Sequence, residues 1–429
     1  MLFHPRLPID SAPCIMSSVN EHSPVSETVA PNPELAETHN AIPGVASAWF
    51  HRVLLFSGRL SHVPFVLLAV YIEVFTLIVL FVWADITDSL STGFAVSVIF
   101  LTFVAVDWIM LAQLPRRGRS FGPVAPPLMM LTLTRTLLTI IPALLPLGPL
   151  WVSTLVEISN FALTGYVLES LWGEPFRLTL TRLTVKSPRL RGAPPLRLLH
   201  LSDLHIERLT RREKKLLEWL DELHPDVIVY TGDLLNYSYL DDELARAECV
   251  SLLNQLQAPL GVYAIPGTPL IDRPDILEAI YQQTPHIRLL RNETIELEGY
   301  PQLQIIGLTC THDPQLDSPK LDQARAASSP DKFTLLLYHG PDLMPQAVRA
   351  RIDLYLCGHT HGGQVRLPFY GALVTSSFYK KRYEMGRYVE KNTTLYVSRG
   401  IGMEGQGAPR LRFLCPPEVE LFELRGDVL

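Results

Sequence analysis

The pattern of apolar and polar positions divides the 429 residues into three stretches. Residues 1–45 have no apolar periodicity, and Pro5, Pro8, Pro13, Pro24, Pro31, Pro33 and Pro43 interrupt them among Ser, Asn and Glu. A disordered tail is expected there. No apolar core follows the start, which excludes a secretory signal, and Met16 offers a second start codon. Between 64 and 170 four runs, 64–84, 93–113, 128–147 and 150–169, are mostly apolar. Each is about 20 residues long, the length that crosses a hydrocarbon core of about 30 Å as a helix. Beyond residue 196 short apolar runs alternate with amphipathic ones. Strands are expected at 196–201, 227–230, 262–265, 303–308, 334–338, 354–357, 394–397 and 419–424, with helices near 211–223 and 242–256. Thr210 and Glu213 form a capping box for the first of these helices.

The order of elements predicts an α/β domain over 196–425 with two sheets, preceded by an all-α transmembrane region over 46–172 and a basic, Pro-containing connector over 173–195. Charge supplies the orientation. Arg52, Arg59, Arg116, Arg117, Arg119, Arg177, Arg182, Lys186, Arg189 and Arg191 all flank one side of the four spans, and the other side has no Lys or Arg. Both termini and the α/β domain are therefore expected in the cytoplasm, on a protein integral to the cell or inner membrane. Glu73, Asp107, Arg135 and Glu157 fall inside the spans. Asp107 and Arg135 lie at similar depth and are expected to pair as a structural ion pair.

Composition narrows the classes further. Hydrophobic residues make up 48% of the chain and the net charge is −6. Residues 176–429 carry 30 Lys+Arg against 31 Asp+Glu, so no region has the basic excess of a nucleic-acid binder. Cys14, Cys249, Cys310, Cys357 and Cys415 are scattered and never form a CxxC pair, which argues against a disulfide framework or zinc ribbon.

The residues with chemical potential cluster where strands end. They are Asp203 and His205 in Ser202-Asp203-Leu204-His205, Asp233 in Thr231-Gly232-Asp233, His339 after Tyr338, and His359 and His361 in Gly358-His359-Thr360-His361-Gly362-Gly363. In open α/β sheets, groups at the carboxyl ends of strands converge on one crevice. Two carboxylates and four imidazoles suit Zn, Mn or Fe better than Mg. Six ligands exceed the need of one tetrahedral ion and fit two ions sharing a carboxylate.

These motifs in this order resemble the calcineurin-like metallophosphoesterase superfamily, and within it the membrane-associated YkuE/YaeI-like branch. Ala258-Pro259-Leu260-Gly261-Val262-Tyr263, Gly362-Gly363-Gln364-Val365-Arg366-Leu367-Pro368 and Tyr396-Val397-Ser398-Arg399-Gly400-Ile401-Gly402 add to the resemblance, which covers 196–425. It implies a four-layer α/β/β/α sandwich with two divalent metal ions. Asp203, His205 and His361 would hold one ion and His339 and His359 the other, with Asp233 bridging. A hydroxide held between the ions would attack phosphorus. The implied substrate is a phosphomonoester or phosphodiester, including phospholipid or lipid-linked ones, with membrane lipids as further partners.

One departure stands out. Where the family has Gly-Asn-His-Asp/Glu, this chain has Gly267-Thr268-Pro269-Leu270. Thr268 occupies the position of a metal-ligating Asn and offers a weak hydroxyl ligand, while Pro269 has no proton to give. Loss of a general acid costs about 10²–10⁴-fold in rate. His312 is a candidate replacement acid. A catalytically weakened relative that binds metal or a phosphorylated ligand is the alternative reading of this departure, and a transporter regulated by the domain is a third. Arg208, Arg211, Arg212, Lys214 and Lys215 read as a solvated helix face, and Lys380, Lys381 and Arg382 as positions where a phosphate could be met. Cys357 and His200 read as packed core residues. The expected activity is metal-dependent phosphoester hydrolysis at a membrane.

Overall fold

A computed structural model describes residues 56–407 and 409–427. The tail at 1–45 lies outside the described residues. Helices α1 (Phe65–Thr87), α2 (Leu90–Arg116), α3 (Ala125–Ile140) and α4 (Pro149–Leu168) come first. Ser89 caps α2 by accepting from the Thr92 amide. The α1 and α2 helices approach closely at Gly93, where a Cβ would lie 2.3 Å from the Leu80 carbonyl oxygen. Among the described residues three segments are long and apolar enough to cross a membrane: Phe65–Thr87, Leu90–Arg116 and Ala125–Leu144. The run expected as a fourth span forms α4, a helix of 20 residues whose Ser153, Thr154, Glu157, Ser159, Asn160 and Thr164 make it less apolar than the other three.

The expected ion pair is present. Arg135 Nε and Nη2 donate to Asp107 Oδ2 and Oδ1 at 2.5 and 2.7 Å, and both residues are fully buried. The other guanidinium donors reach the Asn160 carbonyl at 3.1 Å and the Thr164 hydroxyl at 2.9 Å. Glu73 and Glu157, by contrast, lie on the exposed surface of their helices.

The rest of the chain builds two six-stranded sheets. The strands are β1 (Thr179–Ser187), β2 (Leu196–Leu201), β3 (Val227–Tyr230), β4 (Val262–Ala264), β5 (Ile287–Leu289), β6 (Glu293–Glu296), β7 (Leu303–Gly307), β8 (Phe333–Leu337), β9 (Leu354–Cys357), β10 (Arg366–Leu367), β11 (Gly371–Ala372), β12 (Gly386–Glu390), β13 (Thr393–Val397) and β14 (Glu418–Gly426). The first sheet has the order β1-β14-β2-β3-β4-β5, the second β12-β13-β9-β8-β7-β6, and β10 and β11 form a separate hairpin. The residues expected as a connector carry β1, which runs parallel to β14 over nine residue pairs.

Strand alternation sends each sheet's side chains to two cores. Leu198, Val227 and Val229 of the first sheet meet Ile305, Leu335 and Leu356 of the second. The other face of the first sheet packs on α5 (Arg211–Leu223), α6 (Glu243–Leu253) and α7 (Pro274–Tyr281). The other face of the second packs on α8 (Pro314–Ala326) and α9 (Met344–Arg349). The capping box forms as expected: Thr210 Oγ1 accepts from the backbone and the Glu213 carboxylate accepts from the Thr210 amide at 2.7 Å. Cys357 is buried, and His200 is held by Thr231 Oγ1 at 2.9 Å and Glu420 at 2.9 Å. The basic cluster is largely paired internally, Arg208 with Asp242, Arg212 with Glu213 and Lys215 with Glu218.

Candidate metal centre

The expected site residues follow β2, β3, β8 and β9, and the parallel strands bring them to one end of the two sheets. The local backbone is strained there. Asp203, His205, Asp233, His312, His359 and His361 all have φ between 41° and 68°. That left-handed region costs a non-glycine residue on the order of 1–3 kcal/mol, and such residues concentrate at functional sites. Gly358 makes the approach of the two sheets feasible, since a Cβ there would lie 2.0 Å from Asp203 Oδ2.

Two groups able to hold metal result: Asp203, His205 and His361, and Asp233, His339 and His359. Within the first, His205 Nε2 lies 3.1 Å from His361 Nε2, and His361 Nε2 lies 3.6 Å from Asp203 Oδ1. In the second, His339 Nε2 is 3.2 Å from Asp233 Oδ2, which is also 3.7 Å from His205 Nε2. The Asp233 carboxylate therefore faces both groups. Two nitrogens around one tetrahedral ion at bonds of about 2.0–2.1 Å stand about 3.4 Å apart, close to the His205–His361 separation. With neither a proton nor a cation between them, two such lone pairs would repel. The donor set fits a pair of divalent ions.

The outer hydrogen bonds fix the ring faces. His339 Nδ1 donates to the Thr231 carbonyl at 2.7 Å, and His205 Nδ1 lies 3.0 Å from Glu404 Oε2, so each ring turns Nε2 inward. His359 Nε2 faces the Ser376 carbonyl at 3.2 Å, which leaves Nδ1 for the site. Burial opposes charge on His205, but the hydrogen bond and charge of Glu404, then Asp233 and Asp203, raise it to about 9. His339 is likewise raised against burial to about 10, chiefly by Asp233. His359 and His361 are held low by burial and by neighbouring imidazoles. Asp233 stays well below the usual carboxylate range because His339 and His205 outweigh its burial.

Thr268 and His312 lie against the second group. The Thr268 amide donates to Asp233 Oδ1 at 2.6 Å, and its hydroxyl lies 3.2 Å from both Asp233 Oδ2 and His339 Nε2. His312 Nε2 lies 3.2 Å from the same hydroxyl, and its ring stacks on His359 with centroids 4.2 Å apart. Burial and then His339 push His312 down to about 4, so at neutral pH it is an uncharged imidazole.

Two supporting residues gave no signal in the sequence. Glu404 orients His205. Asp272 accepts from the amides of Asp233, Leu234 and Gly267 at 2.8, 3.0 and 2.7 Å, and so ties the Gly232-Asp233 turn to the segment bearing Thr268.

A family model described as calcineurin-like phosphoesterase matches residues 196–267. The chain is 32% identical over 261 residues to the metallophosphoesterase YkuE of Bacillus subtilis, covering 59% of this chain and 87% of the relative. It belongs to the calcineurin-like metallophosphoesterases. Two further relatives carry activities in their names. The UDP-2,3-diacylglucosamine pyrophosphatase LpxG of Chlamydia muridarum is 26% identical, over 59% of this chain and 92% of its own length. The phosphodiesterase YaeI of Escherichia coli is 28% identical, over 54% and 83%. The YkuE/YaeI-like branch of phosphoester hydrolases is thus where this metallophosphoesterase belongs.

Proposed function

We propose that this metallophosphoesterase is a membrane-anchored hydrolase of a phosphomonoester or phosphodiester, lipid-linked in the reading we favour. The observation that carries it is the pair of donor groups facing one shared carboxylate. Asp203, His205 and His361 would hold one divalent ion and His339 and His359 the other, with the Asp233 carboxylate facing both groups. When bound, two such ions supply a hydroxide nucleophile at neutral pH and neutralise the phosphoryl oxygens. Mn, Zn and Fe all suit the nitrogen and oxygen donors.

Thr268 would take the place of the family's Asn as a weak oxygen donor to the second ion. The residues around it support retained chemistry at the Gly267-Thr268-Pro269-Leu270 departure. His312 comes from a different loop, after β7, to within hydrogen-bond distance of Thr268 Oγ1. We place it as the imidazole that Pro269 cannot provide. Because it is uncharged at neutral pH, it orients and hydrogen-bonds the leaving group, and esters with good leaving groups need it least.

The finer architecture belongs to the same proposal. The soluble part, 196–425, is read as a four-layer α/β/β/α sandwich, and α4 as the fourth span. Both termini and the domain are read as cytoplasmic. In support, the α2–α3 loop touches the domain: Tyr239 Oη donates to the Phe121 carbonyl at 2.7 Å, and the Phe121 amide donates to Glu207 at 3.0 Å. The Arg-rich loop and the domain thus share one side of the bundle. Protease added outside intact cells is expected to leave the domain whole.

The deciding experiment is hydrolysis of bis-p-nitrophenyl phosphate by the full-length protein in detergent, with and without Mn²⁺, beside Asp233→Asn. Turnover that requires both Mn²⁺ and Asp233 is expected. Bound metal without turnover would sink the hydrolase reading.

A further inference from the structure

Among the described residues beyond Leu168, nine large apolar residues are exposed, and six lie on the β10–β11 hairpin or on segments joined to it: Leu367, Phe369, Tyr370, Leu373, Phe378 and Leu414. Scattered exposed apolar residues are ordinary on a soluble surface, but a concentrated patch marks a partner. The patch is built around the β10–β11 hairpin, which pairs Arg366 with Ala372 and Leu367 with Gly371 and leaves Pro368, Phe369 and Tyr370 as the tip. Phe369 sits in left-handed backbone at φ 64°, where a glycine would be favoured, and its side chain is 111% exposed relative to the reference. An aromatic held in a strained conformation with nothing covering it has no folding rationale within the chain.

The surroundings identify what covers it. The hairpin base is bonded to the strand-like segment at Phe413: Arg366 donates its amide to the Phe413 carbonyl at 3.0 Å, and Phe413 donates its own to Gln364 at 2.8 Å. That segment lies against the end of α4. The Phe413 ring meets Tyr166 with centroids 4.6 Å apart, the Arg412 amide donates to the Ser170 carbonyl at 3.0 Å, and the Leu414 amide donates to Glu174 at 2.8 Å. The patch is thereby continuous with the end of the apolar bundle. Cations border it. Lys381 lies over the Tyr370 ring at 3.5 Å, donates to the Ala372 carbonyl and pairs with Glu384 at 3.4 Å, and Lys380 has no acidic partner among the described residues. Aromatic and aliphatic side chains rimmed by lysines have the make-up of a bilayer interface anchor.

The same segment borders the metal centre. The Cys415 thiol donates to the His361 carbonyl at 3.2 Å, and His359 Nε2 reaches the Ser376 carbonyl between Leu373 and Phe378.

We infer that the Leu367–Tyr370 hairpin tip, with Leu373, Phe378 and Leu414, inserts into the interface of the same bilayer that holds α1–α3, and seats the mouth of the metal centre at headgroup level. The substrate class follows, resting on the phosphoesterase reading above: an amphiphile whose phosphoester stays in the headgroup layer while its acyl or prenyl chains remain in the membrane.

The test measures depth rather than turnover. A nitroxide is attached at Phe369→Cys or Phe378→Cys in full-length protein carrying Cys14→Ser, in nanodiscs of phosphatidylethanolamine and phosphatidylglycerol. The other four cysteines are buried and stay unlabelled. Asp331→Cys, at the opposite end of β8 from His339, is the aqueous reference. At positions 369 and 378 oxygen accessibility is expected to exceed that of a water-soluble nickel chelate, with the order reversed at 331. Chelate accessibility equal to that at 331 would overturn the insertion. So would dipolar broadening between labels on two molecules, which would assign the patch to a second copy. Hydrolysis of bis-p-nitrophenyl phosphate by the same unlabelled protein is measured separately. Insertion without turnover would leave the anchor standing and remove the hydrolase, and turnover with an aqueous label would do the converse.

Discussion

Two buried ionic clusters in this molecule both set carboxylates against basic side chains and end in opposite states. In the bundle, Asp107 and Arg135 meet side by side, and the spare guanidinium donors are taken up by Asn160 and Thr164. In the domain, Asp203, Asp233 and four imidazoles crowd together with their inward nitrogens and carboxylate oxygens facing one another. The first cluster is closed: every strong donor has an acceptor. The second is left open toward a common point: the outward nitrogens of His339, His205 and His359 are tied to Thr231, Glu404 and Ser376, which turns the opposite nitrogen of each ring toward the carboxylates. Burial alone does not separate a structural ion pair from a ligand site. What separates them is whether the polar groups satisfy each other.

The largest contrast comes from removing the shared carboxylate. Asp233→Asn is expected to lower turnover of bis-p-nitrophenyl phosphate by about 10³-fold, or about 4 kcal/mol of transition-state stabilisation, with little change in melting temperature. The closed cluster should answer the other way. Asp107→Ala leaves Arg135 buried and unpaired and is expected to cost about 3–5 kcal/mol of stability, seen as a lowered melting temperature in detergent, while the folded fraction keeps its specific activity. Exchange of the two charges, Asp107→Arg with Arg135→Asp, should recover much of that loss. If the exchanged pair is no better than either single reversal, the pairing is not what holds the bundle.

Smaller effects sharpen the open cluster. Glu404→Gln keeps the shape but weakens the orientation of His205, and about 10–100-fold lower metal affinity is expected by calorimetry. The same titration should depend on pH. Metal uptake displaces protons from His205 and His339, raised to about 9 and about 10, so affinity should rise about tenfold per pH unit for each proton released. In the metal-free protein these two imidazoliums stabilise the fold fully below the ordinary histidine value of 6.5, and that contribution is lost as pH climbs through about 9 and about 10. Metal affinity flat from pH 6 to 9 would show that neither ring is protonated in the empty site.

Much of this was legible in the sequence because it is local. The strand-end motifs around Asp203, Asp233, His339 and His361, the Thr210–Glu213 cap and the run lengths of the apolar helices all depend on neighbours along the chain. The Asp107–Arg135 pair was legible from depth alone. The residues at Thr179–Ser187 were not, since Arg182 and Lys186 on a two-sided edge strand look like a basic linker until β14 is alongside. Glu404 and Asp272 gave no sign because their partners, His205 and the Gly232-Asp233 turn, lie far away in sequence. The Thr268–His312 contact joins residues 44 positions apart. The departure at Thr268 was visible, and its compensation was not.

The strand order has a consequence for how the chain is made. β14 lies between β1 and β2, although it is the last strand to be synthesised. β1 and β2 have left the ribosome about 220 residues before their common neighbour exists. Through that interval the nascent domain carries a gap in its first sheet. The segment ending at Cys415, which links α4 to His361, emerges only just before the gap closes. All six candidate ligands, the last of them His361, leave the ribosome before β14 does, so they gather on a sheet whose β1–β2 gap is still open.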